Sequence, residues 1–382
     1  MYTFLNLRKA NISSANFKSQ KTVKIRLYLL GRFFQLEANW LSRKKNEKVR
    51  RPRADGELGE RQIIEIIRSR LDLMSDAPVP FGDDVSAVNI GTGRIAVLKT
   101  DMLVGNTDVP RGMSLWQAAR KAVVMNVSDF AAKGVKPVAA LVSLGLQREF
   151  TRKDVEEIAR GLNVGAKEYG AYIIGGDTNE ASDLVIAVML FGIATRKSLM
   201  LRSGARAGDI VAVTGFFGKS AAGLRLLLDG CAASPDLREV FLNSVCMPKA
   251  RLREGLALCN SGGVSASIDS SDGLAWSLHE LARLSGVGFL ITSVPIADEV
   301  RRFAEFNGLD ASELALYGGE EYELVVTVTP KLWVNAETAV ESVGGRLLPV
   351  GKVTRGKQVL MNVDGRKQPI QPIGWEHFRS RI

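Results

Sequence analysis

Histidine and cysteine are scarce in this chain, which has two histidines and three cysteines among 382 residues. The cysteines, Cys231, Cys246 and Cys259, form no Cys-x-x-Cys pair, which argues against structural zinc and a disulfide framework and favours a reducing compartment. A mechanism that depends on histidine has only His279 and His377 to use. We therefore expect a cytoplasmic protein whose chemistry rests on other side chains.

Long apolar runs are also missing. The run 184–194 ends well short of the ~20 residues that a membrane-spanning helix requires. We therefore expect a soluble protein without a membrane partner.

The positive charge is confined to the N-terminus. Residues 1–53 hold 14 Lys and Arg against two Glu, a net charge of +12, so a total of +10 leaves −2 for residues 54–382. We interpret this leader as a weakly ordered extension that takes no part in the chemistry. A targeting peptide, an arm for nucleic acid or another anionic surface, and an extension from a misplaced start codon also fit it.

A complete P-loop is absent too, although "VTGFFGKSAAGL" at 213–224 resembles one. Gly-Lys-Ser follows an apolar run and precedes a helix-forming run, but the P-loop spacing requires glycine where this chain has Val213. We predict a tight strand-to-helix turn whose glycines serve the backbone geometry. Lys219 is therefore not the predicted phosphate-binding lysine.

Helical and strand patterns alternate from about residue 57, which is typical of an α/β (α+β) protein. A Gly/Arg-rich turn at 202–215 begins a second series of similar length, which closes with a pair of strands. We predict a basic extension at 1–53 and two domains, 54–200 and 201–382, with a cleft between them. The clearest helix patterns cover 61–71, 114–134, 152–169, 219–229 and 273–285, and the clearest strand patterns cover 95–100, 138–146, 171–176, 184–194, 264–268 and 322–329.

Aspartates recur in turns beside glycine or a small hydroxyl residue. Each has a local explanation, because aspartate caps helices and closes turns. Asp129 is the exception, since it follows a mostly apolar helical stretch. Carboxylates that converge in one cleft repel one another unless cations neutralise them, and oxygen ligands without histidine or cysteine favour Mg²⁺. The set comprises Asp83, Asp84, Asp101, Asp129, Asp177, Asp269 and Asp272, with Glu320, Glu321 and Glu323 beside another glycine pair.

The shortage of histidine fits one kind of phosphoryl transfer. A phosphate acceptor has a second pKa near ~6 and is already a nucleophile at neutral pH, so it needs no general base. Mg²⁺ held by aspartates can align ATP with such an acceptor and cancel the repulsion between the two anions. The residues therefore favour a Mg²⁺-dependent phosphotransferase that uses ATP.

The ordered motifs resemble those of the thiamine-monophosphate kinases, members of the aminoimidazole ribonucleotide synthetase superfamily. The likeness covers about residues 57–378, and its motifs include "FGDDVSAV", "KTDMLV", "AVVMNVSDFAAKGVKP", "IIGGDT", "IDSSDGL", "LYGGEEYEL" and "GWEHF". It implies a two-domain aminoimidazole ribonucleotide synthetase-like fold, with an N-terminal β-sheet dimerisation domain, a C-terminal α/β domain and a homodimeric assembly. It also implies ATP-dependent conversion of thiamine monophosphate to thiamine diphosphate, a step of thiamine biosynthesis.

The resemblance further implies roles for single residues. The implied catalytic carboxylates are Asp101, Asp129 and Asp272. The implied metal ligands are Asp84, Thr100, Asp101, Asp129, Asp177, Asp269 and Asp272. The implied ATP contacts are Tyr169, Gly176, Arg202 and Ser271. Glu320 and Trp375 resemble the residues that hold the cationic thiamine moiety, by charge and by stacking.

The chain departs from the family pattern at four positions. Asp108 falls where bacterial relatives carry a substrate-contacting histidine, and we take it as the substitute substrate contact. Lys99 stands where many relatives have serine or threonine, and Lys219 stands where many have an acidic residue. Glu321 replaces the usual aspartate.

Two alternatives accompany this hypothesis. One is another superfamily chemistry, the synthesis of a purine precursor or of selenophosphate, against which the "GWEHF" ending and the lack of a reactive N-terminal cysteine argue. The other is a non-catalytic relative that binds nucleic acid through the basic leader, against which the intact aspartates argue. Apart from that leader we expect no nucleic-acid partner.

Overall fold

The computed structural model describes residues 58–378, and its regular secondary structure starts with helix α1, Glu60–Arg68. The basic leader, with the interpretation given to it, lies outside the described residues. Residues Gly59–His377 form one compact unit that contains two β-sheets. Among the helices of this range, none is both long enough and apolar enough to cross a membrane.

Five strands of the first half form one sheet. They are β1 (Ser86–Gly91), β2 (Arg94–Val104), β3 (Pro137–Leu146), β4 (Tyr172–Glu180) and β5 (Val185–Thr195). The strand order is β1-β2-β5-β3-β4; the β3/β4 pair is parallel and the other three pairs are antiparallel. The helices of this half are the single turn α2 (Gly105–Asp108), α3 (Leu115–Lys133) and α4 (Arg152–Glu168), followed by a 3₁₀ turn at Arg196–Ser198.

Seven strands of the second half form the other sheet, in the order β12-β11-β8-β10-β6-β9-β7. The strands are β6 (Ile210–Val213), β7 (Val264–Asp269), β8 (Gly288–Ile291), β9 (Leu324–Val328), β10 (Leu348–Thr354), β11 (Val359–Val363) and β12 (Arg366–Pro369). The helices are α5 (Lys219–Leu228), α6 (Pro235–Cys246), α7 (Leu252–Ser261), α8 (Leu274–Ser285), α9 (Asp298–Asn307), α10 (Ala311–Tyr317) and α11 (Trp333–Ser342), with a 3₁₀ turn at Pro330–Leu332.

Helix α3 connects the two sheets. It begins at a capping box, in which the Gln117 N–H donates to the Ser114 hydroxyl and the Ser114 N–H donates to the Gln117 side chain. It ends at Gly134, whose φ of 65° is the left-handed conformation that glycine adopts most readily. Between these ends α3 contacts β2 and β5 on one side and β7 on the other. The helix therefore lies between the two sheets, and its polar residues Asn126, Ser128, Asp129 and Lys133 are buried.

The hydrophobic core follows the same arrangement. One cluster runs from Val97 and Val188 of the first sheet through Val123 of α3 to Val326 of β9, all fully buried. A second cluster fills the space between the second sheet and its outer helices. The α/β class is confirmed, while the domain limits at 54–200 and 201–382 stay a prediction.

The structure adds elements that the patterns did not predict. The chain closes with three strands, β10, β11 and β12, where the sequence predicts a pair. Strands β1 and β8 and helices α6, α9 and α10 were also not predicted. The strand-to-helix turn predicted for the Gly-Lys-Ser segment is confirmed, since β6 leads into α5 there.

Candidate functional site

Three buried aspartates from distant parts of the chain meet beside α3. Asp84 lies in the loop before β1, Asp129 lies in α3 and Asp269 is the last residue of β7. Each offers one carboxylate oxygen, and these oxygens lie within 4.8 Å of one another. The side chains are almost fully buried. These three residues, named here the aspartate cluster, belong to the predicted metal ligands.

Crowding of buried carboxylates disfavours their ionised form. Burial, with the charge of Asp84 nearby, raises the pKa of Asp269 to about 7, although the Ser128 hydroxyl donates to its Oδ2 at 2.7 Å. Burial also raises the pKa of Asp129 well above its usual value. Lys99 lowers this pKa, and the negative charges of the surrounding aspartates offset part of that effect. The cluster therefore retains protons that a bound cation would displace.

Two cations hold the Asp83-Asp84 turn. The Lys133 Nζ lies 2.7 Å from Asp83 Oδ1 and 2.7 Å from Asp84 Oδ2, and the Lys133 side chain is fully buried. The guanidinium of Arg202 also contacts Asp84. The backbone N–H of Arg202 donates to Asp83 Oδ2 at 3.0 Å. Although burial opposes ionisation of Asp84, Arg202 and Lys133 keep its pKa below the usual value. Arg202, a predicted ATP contact, thus lies at the edge of the aspartate cluster.

A third cation joins Asp101 to the cluster. The Lys99 Nζ lies 3.0 Å from Asp101 Oδ1 and 3.1 Å from Asp129 Oδ2. Side chains alternate between the two faces of a strand, so Lys99 and Asp101 of β2 share the face toward α3. Thr100 is exposed and lies on the opposite face, so the structure does not bring this predicted metal ligand to the cluster.

Two predicted site residues, Gly176 and Asp177, lie in β4, which is an exposed edge strand. Every residue of β4, including Gly176 and Asp177, is exposed. A Cβ on Gly176 would lie 1.8 Å from the Val142 carbonyl oxygen, so glycine is required here by the close approach of β3. Asp177 lies outside the aspartate cluster.

Tyr169 connects the end of α4 to the backbone of the second half of the chain. It ends α4, and its hydroxyl oxygen accepts a hydrogen bond from the Ala250 N–H at 3.0 Å. Burial raises the pKa of Tyr169 to about 12, so the hydroxyl stays neutral. Its predicted contact with ATP stays a prediction.

A second group of predicted residues meets around the loop after β7. The Glu320 N–H donates to the Ser271 carbonyl oxygen at 2.6 Å, and the Trp375 N–H donates to the Asp272 carbonyl oxygen at 2.9 Å. Burial, with a contribution from Glu60, raises the pKa of Asp272 to about 6. Two predicted substrate contacts, Glu320 and Trp375, therefore lie beside the loop that leads back to Asp269.

Lys121 was missed by sequence reasoning. It is 1% exposed in α3, and its Nζ lies 2.5 Å from Glu320 Oε1 and donates to the Asp108 carbonyl oxygen at 3.1 Å. Glu320 has φ of 64°, a strained conformation for this residue, and its Oε2 is buried without a hydrogen bond. Lys121 thus links the two predicted substrate contacts, Asp108 and Glu320. The available signal was its place in the same apolar helix that singled out Asp129.

The Gly-Lys-Ser turn is already occupied. The N–H groups of Gly218 and Ser220 donate to Glu321 Oε1 at 2.7 and 3.0 Å, and Lys219 pairs with Glu299 at 3.2 Å. Glutamate therefore fills the anion position that a helix N-terminus offers. The turn does not form a phosphate cradle in this structure.

A divalent cation fits the aspartate cluster. Magnesium prefers carboxylate oxygens, and the cluster offers three of them from buried side chains. A cation there would relieve the repulsion that raises the pKa of Asp129 and Asp269.

Comparison with known proteins identifies the chain's relatives. The model of the family described as AIR synthase related protein, N-terminal domain, matches residues 82–194. A thiamine-monophosphate kinase of Nitrosopumilus maritimus is 37% identical over 322 residues, which cover 84% of this chain and 99% of that protein. The chain belongs to the thiamine-monophosphate kinase family. Another member, from Pyrococcus horikoshii, is 38% identical over 318 residues, 83% of this chain and 96% of its own length.

A solved structure extends the match to the fold of the thiamine-monophosphate kinase family. The structure described as AaThiL complexed with AMPPCP and TMP has a TM-score of 0.73 and 30% identity, and the match covers 84% of this chain and 97% of that one. The resemblance stated from the motifs and the two-domain aminoimidazole ribonucleotide synthetase-like fold are confirmed. The roles of individual site residues stay predictions.

Proposed function

We propose that this chain phosphorylates thiamine monophosphate with ATP, producing thiamine diphosphate and ADP. The observation that carries the proposal is the cluster of Asp84, Asp129 and Asp269, three buried carboxylates suited to a divalent cation, in a chain of the thiamine-monophosphate kinase family. The solved relative described as complexed with AMPPCP and TMP supports the same pair of ligands.

The acceptor explains why no protein base is needed. The phosphate of thiamine monophosphate attacks the terminal phosphorus of ATP, a new oxygen–phosphorus bond forms there, and ADP leaves. Because a phosphate monoester is largely dianionic at neutral pH, no side chain has to remove a proton. His279 is consistent with this, since its Nε2 lies at hydrogen-bond distance, 2.8 Å, from the Ile370 carbonyl oxygen.

Magnesium is the proposed cofactor. Bound Mg²⁺ would neutralise charge on the phosphates and hold the two reacting groups in line. Asp84, Asp129 and Asp269 would hold it, and Asp101 and Asp272 would border the site. Arg202 and Lys133 keep Asp84 ionised, which is the state that binds a metal. These cations therefore keep Asp84 in the form that can bind the ion.

The thiamine moiety would lie near Glu320. That side chain offers a buried, unpartnered oxygen, while Trp375 is 39% exposed and its backbone is tied to Asp272. A cationic thiazolium favours an acidic and aromatic environment. The Lys121 Nζ donates hydrogen bonds both to the Asp108 carbonyl oxygen and to the Glu320 carboxylate, which connects the backbone of Asp108 to this region.

A homodimer is proposed from the outer face of the first sheet. Met102, Leu141, Ile174 and Ile193 are 57, 39, 70 and 43% exposed there, which is typical of an interaction surface. Replacement of Ile174 by Asp is expected to produce monomers in light scattering, whereas an unchanged mass would contradict a dimer through this face. We also propose a cytoplasmic location, with the thiols of Cys231, Cys246 and Cys259 free.

The test of the function is direct. The full chain is incubated with ATP, Mg²⁺ and thiamine monophosphate, and thiamine diphosphate and ADP are quantified by chromatography. Equal amounts of both products, lost when Mg²⁺ is chelated, are expected. Absence of thiamine diphosphate, together with turnover of a purine precursor, would contradict the proposal.

A further inference from the structure

Lys99 occupies a position that a metal ion could otherwise take. Its ammonium group lies 3.0 Å from a carboxylate oxygen of Asp101 and 3.1 Å from one of Asp129. The Lys99 side chain is 20% exposed, so it is largely withdrawn from solvent together with Asp129. An ammonium group held between two carboxylates stays cationic at neutral pH, because both neighbours favour its charged form.

An ammonium group and a divalent ion exclude each other at this position. A Mg²⁺ ion binds carboxylate oxygens at about 2.0–2.1 Å. An ion bridging the same oxygens of Asp101 and Asp129 would therefore lie close to the Lys99 Nζ and be repelled by it. One cation fits between these two carboxylates, and in this chain it is covalently attached to β2.

Charge balance around the cluster leads to the same conclusion. Five carboxylates, those of Asp83, Asp84, Asp101, Asp129 and Asp269, are joined by contacts to three cations. When all five are ionised, as a bound divalent ion favours, two negative charges are left over, which is the charge of one such ion. Loss of Lys99 would leave three.

We propose that Lys99 is a built-in cation that takes the place of one divalent ion between Asp101 and Asp129. The inference deepens the proposed Mg²⁺-dependent function and rests on it for the assignment of the cluster. Lys99 acts on the site by neutralising and positioning the two aspartates, and this chain consequently needs one ion fewer than a variant with a neutral side chain there.

The test counts ions directly and does not require turnover. Bound Mn²⁺ is counted by electron paramagnetic resonance in metal-stripped full chain without nucleotide, for the unmodified protein and for Lys99→Thr, Lys99→Gln and Lys99→Arg. We expect the Thr and Gln variants to bind one further Mn²⁺ per chain, and the Arg variant to match the unmodified protein. Lys219→Ala is the matched control, because Lys219 contacts one glutamate outside the aspartate cluster.

Thermal stability gives an independent readout. In chelator, Lys99→Thr and Lys99→Gln should melt at lower temperature than the unmodified protein, because Asp101 and Asp129 then face each other without a cation. Mn²⁺ should recover more of that loss in these variants than it adds to the unmodified chain or to Lys99→Arg.

Equal numbers of bound Mn²⁺ in the unmodified protein and both neutral variants would overturn the inference, whatever that number is. An extra ion in Lys99→Arg would overturn it too, because the number of bound ions would then depend on the shape of the Lys99 side chain and not on its charge. Failure of the proposed function is distinguishable, since it appears as absence of thiamine diphosphate in the turnover assay while the ion counts still differ.

Discussion

Lys99 and Lys219 each stand directly before a hydroxyl residue, and their surroundings are opposite. Lys219 begins α5 in a segment that resembles a P-loop, yet it contacts one glutamate, and both side chains of the pair are 31% exposed. Lys99 lies in β2 in a segment without a familiar nucleotide motif, yet it contacts two aspartates, one of which is buried. The glycine motif thus contains an ordinary ion pair, whereas the candidate site consists of charges that distant elements bring together.

The largest effect that separates the two regions is expected for Asp129→Asn. The substitution keeps the size of the side chain and removes a charge that would hold Mg²⁺, so kcat should fall by about 10²-fold or more. Initial rates of thiamine diphosphate formation measure it, with Asp229→Asn, an exposed partner of Arg225, as the control. Activity of Asp129→Asn equal to that of the control would move the site away from the cluster.

The next effect concerns pH and metal together. Asp269 has a pKa of about 7 in the fold against a usual value of 3.8. The folded protein therefore holds a proton that the unfolded chain releases between those values, so metal-free stability should fall as pH rises from about 4 to 7, by a few kcal/mol. Calorimetry in chelator measures this fall.

Magnesium should reduce that dependence, because a cation on the cluster favours the ionised carboxylate. Asp269→Asn is the control, since it removes one of the titrating groups and should make the fall of the metal-free profile less steep. A profile of the unmodified chain that rises over the same pH range would contradict the assignment.

A smaller effect is expected for the buried pair beside the substrate region. Lys121→Met leaves Glu320 without its cation and should lower the free energy of unfolding by about 1–3 kcal/mol. Adding Glu320→Gln should recover part of the loss, because the unpaired charge is then gone. Denaturant unfolding of both single variants and the double variant measures the coupling, and strict additivity would mean that the two side chains do not interact.

The smallest effect belongs to the other lysine of the comparison. Lys219→Ala removes one partly exposed ion pair, which contributes less than about 1 kcal/mol. Its kcat/KM should stay within about twofold of the unmodified enzyme, as expected for a residue without a role in the transition state. A loss comparable to that of Asp129→Asn would make the Gly-Lys-Ser turn a phosphate site after all.

Much of the scaffold could be predicted because its patterns are local. The apolar spacing and the capping residues of α3 define its ends within one residue, and β6 and α5 follow from the turn between them. Strand β8 has four residues, too few for a pattern to stand out. Helix α9 carries polar residues at most of its positions, which weakens the periodic signal.

The site was predicted less completely because its partners are distant in sequence. Asp129 stood out as a carboxylate in an apolar helix, but the same argument applied to Lys121 and Lys133, whose long side chains are usually expected to reach solvent. Thr100 and Asp101 were assigned together, although neighbours on a strand face opposite sides of the sheet. The ion pair between Lys99 and Asp129 joins a strand to a helix, and no local pattern contains it.

Helix α3 also fixes the distance between two parts of the proposed site. Lys121, which holds Glu320, and Asp129, which belongs to the aspartate cluster, are eight residues apart on one rigid rod. At 1.5 Å per residue their Cα atoms are separated by about 12 Å along the axis. One end of this segment would bind the ring of a substrate, and the other end would bind its phosphate. The backbone hydrogen bonds of the helix therefore set the distance between these two positions before any ligand binds.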